Sequence, residues 1–297
     1  MIKDSLKALA GSARELFRNW RGLALLSVLY AALLASVYLF FETGVANAWQ
    51  LVVSALTVLL VPLLFFVLQA MVTHFALSET RVGGLVGRAL RDFLKILLVS
   101  LPLIALGVLF VYLLGKLQGW LPKIDYAEAA HGYVSATGAS KPEPLYWQEM
   151  LVSSLWLLLL GVFLLLMTAH VWLATARDGL LTTIKRIHRV VGRSFMPQSV
   201  LIYAVGFFVF ALVPYFVLFT RVPVSNGWAE LTFFGFRLLL AFIFTLWGWT
   251  ITLGALARVT PPPSLAVAEP ASSATPQEPA SVEPTEKPTG VEPQLQG

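Results

Sequence analysis

Six long apolar runs dominate the chain, at 23–41, 49–75, 96–114, 150–173, 200–219 and 233–257. A helix needs about 20 mostly apolar residues to cross roughly 30 Å of hydrocarbon, and each run meets that length. None alternates apolar and polar positions with period two, which excludes a transmembrane β-barrel. Pro62, Pro102 and Pro214 fall inside the second, third and fifth runs. Packed membrane helices tolerate such prolines, usually as kinks.

Elsewhere the pattern becomes one-sided. Before the first run, Ile2, Leu6, Leu9, Ala13, Leu16, Phe17 and Trp20 recur at helical spacing, with charges on the other face. The link from the second to the third run repeats this with Val82, Leu85, Val86, Ala89, Leu90 and Phe93. The link from the fourth to the fifth does so with Leu180, Ile184, Ile187, Val190 and Val191.

Residue-level echoes point to duplication. Ala13-Arg14-Glu15-Leu16-Phe17-Arg18 parallels Leu90-Arg91-Asp92-Phe93-Leu94-Lys95, and Val86-Gly87-Arg88 parallels Val191-Gly192-Arg193. Met71, His74, Leu77 and Arg81 share their spacing with Met167, His170, Leu173 and Arg177, and with Gly248, Ile251, Gly254 and Arg258. The expected fold is all-α: a polytopic membrane protein of six transmembrane helices, written as three units of basic amphipathic helix plus helical hairpin. Its parts are an amphipathic helix at 1–22, a six-helix domain at 23–258 with an outer loop at 115–149, and a tail at 259–297.

Composition agrees with this plan. Of 297 residues, 58 % are hydrophobic and 12 % charged, against about 45–50 % and about 25 % in soluble domains. Cysteine is absent, which excludes disulfides and thiolate metal sites. Sixteen of the 21 Lys and Arg fall in the leading segment, the two amphipathic links and the region after the sixth run. Cytoplasmic loops collect such residues, so both termini are expected inside. Trp20 and Trp172 are expected as anchors near inner boundaries, and Trp49, Tyr146, Trp147 and Trp228 near outer ones. Ala46-Asn47-Ala48 resembles a signal-peptidase site. A signal peptide's apolar region spans only about 7–15 residues, so the longer first run is expected to be retained.

The tail from Thr260 holds 9 of the 17 prolines, no aromatic residue and a net charge of −4. Such a segment cannot bury enough apolar surface to offset its ordering entropy, and disorder is expected.

At Arg14-Glu15-Leu16-Phe17-Arg18-Asn19-Trp20-Arg21 the chain resembles the opening of uncharacterised bacterial six-span integral membrane protein families. It is similar there to the membrane domain fused to some glycerophosphodiester phosphodiesterases. Those also set a basic helix with an Asn-aromatic pair before the first span. The resemblance covers that helix and the span plan, and no catalytic phosphodiesterase domain is present. It implies a fold and a bacterial envelope setting, and it supplies no active residues.

Candidate chemistry is sparse. No Walker loop, HExxH, GxSxG or dinucleotide fingerprint occurs. His74 and His170 lie near the inner ends of even spans, each on one face with a methionine. Two imidazoles on facing helices can ligate haem. The reading adopted is polar contact between helices, with no cofactor and no metal. Arg237 lies inside the start of the sixth run, close enough to its outer end to snorkel. Gln69 is the other polar residue in an apolar setting. Asp125, Glu128 and His131 at i, i+3 and i+6 are read as a solvated loop rather than a metal site. The candidate intramembrane polar sites are thus His74, His170, Gln69 and Arg237. Candidate contacts to anionic lipid headgroups are Arg81, Arg88, Arg91, Arg177, Lys185, Arg186, Arg189 and Arg193, because the three amphipathic segments together carry a net charge of +9. The expected function is a non-enzymatic scaffold or envelope-maintenance protein of the bacterial inner membrane. Its expected partners are anionic lipids at the cytoplasmic face and membrane proteins, not nucleic acid. A small-molecule or lipid transporter is the alternative, and a haem-binding redox protein comes third.

Overall fold

The computed structural model describes residues 2–44, 47–77, 82–120, 147–220 and 226–260. Every described element is helical. The leading amphipathic helix is α1 (Ile2–Arg18). Spans one to three are α2 (Trp20–Glu42), α3 (Ala48–Ala76) and α4 (Val82–Trp120). The fourth span joins α5 (Trp147–Trp156), a π-helical stretch (Leu157–Leu164) and α6 (Leu165–Asp178). Two short helices follow, α7 (Leu180–Lys185) and α8 (Ile187–Ser194). The fifth span joins α9 (Pro197–Phe207), a second π-helical stretch (Phe208–Leu212) and α10 (Val213–Phe219). The sixth is α11 (Gly227–Val259). Six helices are thus long and apolar enough to cross a membrane. In the segment expected as an outer loop, 115–149, α4 runs on to Trp120 and α5 begins at Trp147, and the residues between lie outside those described. The Asp125, Glu128 and His131 trio and the tail from 261 lie outside the described residues.

The three amphipathic segments join their spans in three ways, and local chemistry explains each. Between α1 and α2, Asn19 is an N-cap whose side chain accepts from the Gly22 N–H at 3.3 Å, so the helix ends and restarts. Between Lys95 and Ile96 there is neither cap nor proline, and α4 continues unbroken for 39 residues, roughly 58 Å. Before the fifth span, Pro197 occupies the first helical turn, where its missing N–H costs nothing. Proline also shapes the fifth span from within. Pro214 stands two residues beyond the end of the second π-helical stretch at Leu212. Its missing N–H and its ring disturb the turn before it, which widens.

Packing is uneven along the spans. In α3 every residue from Leu68 to Ala76 is buried, and in α6 every residue from Leu166 to Leu173. In α11 the stretch from Thr252 to Ala257 is buried as well. A helix buried on all sides lies at the centre of its bundle. The ends of the even spans therefore form the core, and the odd spans and amphipathic helices surround them. We call this the basic end, since α1, the start of α4, α7, α8 and the close of α11 gather there.

Close approach of helices holds this core together. Gly206 of α9 faces Thr252 of α11, and a Cβ at Gly206 would overlap the Thr252 side chain. Small residues at such crossings let membrane helices meet backbone to backbone. The chain also closes on itself, since α1 packs along α11. Phe17 meets Trp247 edge to face at 5.3 Å, and Arg258 pairs with Glu15.

Candidate functional site

The core of the basic end is apolar by composition, yet it is threaded with polar side chains that must find partners within the protein. Two elements meet at each contact. His74, 4 % exposed on α3, places Nε2 3.1 Å from Asp92 Oδ2 in the amphipathic start of α4. Lys95, one turn on, donates to the other carboxylate oxygen at 2.5 Å. The Asp92 carboxylate thus bridges a buried imidazole and a half-exposed ammonium. An ionised carboxylate can only accept, which assigns the Nε2 proton to His74.

His170, 2 % exposed on α6, has both ring nitrogens engaged. Its Nδ1 lies 3.0 Å from the Leu166 carbonyl oxygen and its Nε2 3.2 Å from Ser199 Oγ, in the first turn of α9. A carbonyl cannot donate, so Nδ1 carries the proton. In the neutral ring Nε2 then accepts from the Ser199 hydroxyl. Gln69 is buried and accepts from the Trp249 indole N–H at 2.9 Å, joining α3 to α11.

Trp172 departs from its expected role as an interfacial anchor. It is buried, and its indole N–H donates to Ser100 Oγ of α4 at 2.8 Å. A serine within reach makes burial of the indole affordable. Trp20, Trp49, Trp147 and Trp228 are all exposed.

The candidate headgroup residues divide. Arg177 is committed inside the protein: its guanidinium donates to the Ala257 carbonyl at 3.0 Å and to the Thr260 carbonyl at 2.5 Å. Those carbonyls end α11 and have no partner in their own helix, and a cation there also complements the helix dipole. Lys185, Arg186, Arg189, Arg88 and Arg91 are exposed, and Arg193 is half-buried. Arg81 lies outside the described residues. At the opposite end, Arg237 is half-buried with its guanidinium 4.8 Å from the Phe233 ring centroid, one turn nearer the start of α11. That is the direction a snorkelling side chain takes.

Sequence reasoning missed three participants: Asp92, Ser199 and the π-helical pair. Asp92 had a signal, since it is the lone acid on its basic helix and parallels Glu15. Ser199 had none, because a serine in a first helical turn reads as local capping. The first π-helical stretch is held to α9, whose Tyr203 hydroxyl donates to the Gly161 carbonyl at 2.5 Å. The arrangement can bind helices together and present cations outward. Among the described residues, no group of three or more His, Asp or Glu is placed to hold a metal ion. No family model matches this chain, and neither a curated protein nor a solved structure matches it.

Proposed function

We propose that this chain is a non-enzymatic scaffold or envelope-maintenance protein of a bacterial cytoplasmic membrane, which engages anionic lipids and membrane-protein partners through its basic end. One observation carries the reading. The amphipathic segments bury their apolar sides on the core, through Leu16, Leu85, Ala89, Ile187, Val190 and Val191, and turn Arg18, Arg91, Arg186 and Arg189 outward. A row of cations at a membrane boundary attracts an anionic leaflet at about 1 kcal/mol per residue. The same charge bias supports cytoplasmic termini. Threefold duplication is part of the proposal. It is supported by the equivalent acids Glu15 and Asp92, each tying an amphipathic helix to an even span, through Arg258 and His74.

Reconstituted protein tests the reading: it should retain anionic phospholipid over zwitterionic phospholipid, and equal retention of the two sinks it. Single cysteines test the orientation. A Cys at Ser135 should react with an impermeant thiol reagent in whole cells and a Cys at Ser273 should not; the reverse labelling refutes cytoplasmic termini.

A second reading, a lipid or small-molecule transporter, is favoured by the π-helical stretches inside the fourth and fifth spans, since such irregularities often sit at functional sites. Lipid scrambling or solute flux in proteoliposomes separates the two readings.

A further inference from the structure

We infer that the helix pair α7–α8 is the element that grips the anionic leaflet, whereas α1 and the start of α4 chiefly seal the bundle. The inference rests on the reading of the basic end as a lipid-engaging surface, and it assigns that work to one of three similar segments.

The three segments share a sequence pattern but use their charges differently. In α1, Glu15 is drawn into the contact with Arg258, and Gly11 offers its carbonyl to the same guanidinium at 3.3 Å. In α4, Asp92 takes both His74 and Lys95. Each of these segments spends an acid on locking itself to an even span. The helices α7 and α8 contain no acid at all, and they hold to α6 through apolar contacts from Ile187, Val190 and Val191. Asp178, the acid nearest in sequence, lies on the far side of the turn at Gly179. That glycine takes φ +82°, which L-residues rarely adopt, and it redirects the chain out of the fourth span.

Lys185, Arg186, Arg189 and Arg193 consequently meet no acidic side chain among the described residues. Arg186, Arg189 and Arg193 stand at i, i+3 and i+7, a single stripe along a helix. Just before them, Leu181 is 74 % exposed and Ile184 50 %, three residues apart on one face of α7 and beside Lys185. Exposed apolar side chains followed by unpaired cations match a leaflet in both of its layers: acyl chains for Leu181 and Ile184, phosphates for the arginines. An acidic peptide would satisfy the arginines and leave the leucine and isoleucine in water. The occupant is therefore a phospholipid leaflet with anionic headgroups.

The test uses the full chain in nanodiscs of mixed phosphatidylcholine and phosphatidylglycerol, and reads the lipid retained on gentle extraction by native mass spectrometry. Changing Arg186, Arg189 and Arg193 together to Gln should cut phosphatidylglycerol retention by about a hundredfold. Changing the same three to Lys should leave it within about twofold, because charge is kept. The single Arg189→Gln, at an exposed position, should show about a fivefold loss even if the triple variant purifies poorly. Changing Arg14 and Arg18 of α1 to Gln should have less than about a twofold effect. Excess inorganic phosphate should displace nothing. Equal losses from α1 and α8 overturn the assignment to α7–α8 while leaving the lipid reading standing. Undiminished retention in the α8 variants, or displacement by inorganic phosphate, overturns it too. A wild-type protein that retains both lipids equally removes the lipid reading and this inference together.

Discussion

The two ends of the sixth span, and of the second, lie in different surroundings. In α11 no residue from Gly227 to Leu240 is buried, yet from Thr252 to Ala257 none is exposed. The second span repeats the contrast, exposed at Trp49, Leu51 and Val52 and closed in from Leu68 onward. Hydropathy does not distinguish the two halves, because lipid and protein core are equally apolar. What distinguishes them is the side chains that make helix-to-helix packing worthwhile: small residues at crossings and polar groups that find partners. The basic end has Gly206, Gln69, His74, Ser100, His170 and Trp172. The opposite end has Phe233, Phe234 and Phe236, which suit lipid.

That contrast can be broken by the same substitution at both ends. Gly206→Ala should cost about 2–3 kcal/mol, since Thr252 is held against it and overpacking is penalised. Gly235→Ala, with nothing within 4 Å of its Cβ position, should be neutral or gain up to about 1 kcal/mol. Unfolding in detergent micelles reads both, and similar shifts at the two sites would erase the distinction between the ends. Asp92→Ala should cost about 2 kcal/mol by taking the acceptor from His74 and Lys95. Gln69→Met, which keeps the length of the side chain but removes the acceptor of the Trp249 N–H, should cost about 0.6–1.7 kcal/mol. Arg237→Gln should change stability by less than about 0.5 kcal/mol, because its stacking on Phe233 takes place at an exposed surface. Smallest of all, Ser12→Ala should be neutral or slightly stabilising. The Ser12 hydroxyl is buried without a hydrogen-bond partner, so deleting it removes a desolvation cost. A loss above about 1 kcal/mol would reveal a partner for it.

Much of this was legible from the order of residues. Runs of apolar residues report spans because the bilayer imposes a length, and one-sided periodicity reports α1 and α8 because an interface imposes a face. Pairings were not legible. His74 and Asp92 are 18 residues apart and His170 and Ser199 29 apart. Which rotamers bring them together depends on how helices cross, and periodicity does not encode crossing. Trp172 was misplaced for a related reason. A tryptophan near a span's end reads as an anchor until a serine 72 residues away is brought beside it. The joints were half legible: Asn19 and Pro197 announce breaks, but nothing in Lys95-Ile96 declares that a helix will run straight through.

The closure of α1 on α11 also bears on biogenesis. A ribosome releases α1 long before α11, and their contact joins Glu15 to Arg258 across 243 residues. The contact of His74 with Asp92 needs only 18 residues and can form while synthesis continues. Until the sixth span has been inserted, α1 therefore lacks its most extensive packing partner and has only its lesser contacts with α2 and α9. Docking of the sixth span against α1 is therefore a late step in the maturation of this fold. A nascent chain halted before residue 227 should remain open to exchange along α1 even when its first two hairpins are already set.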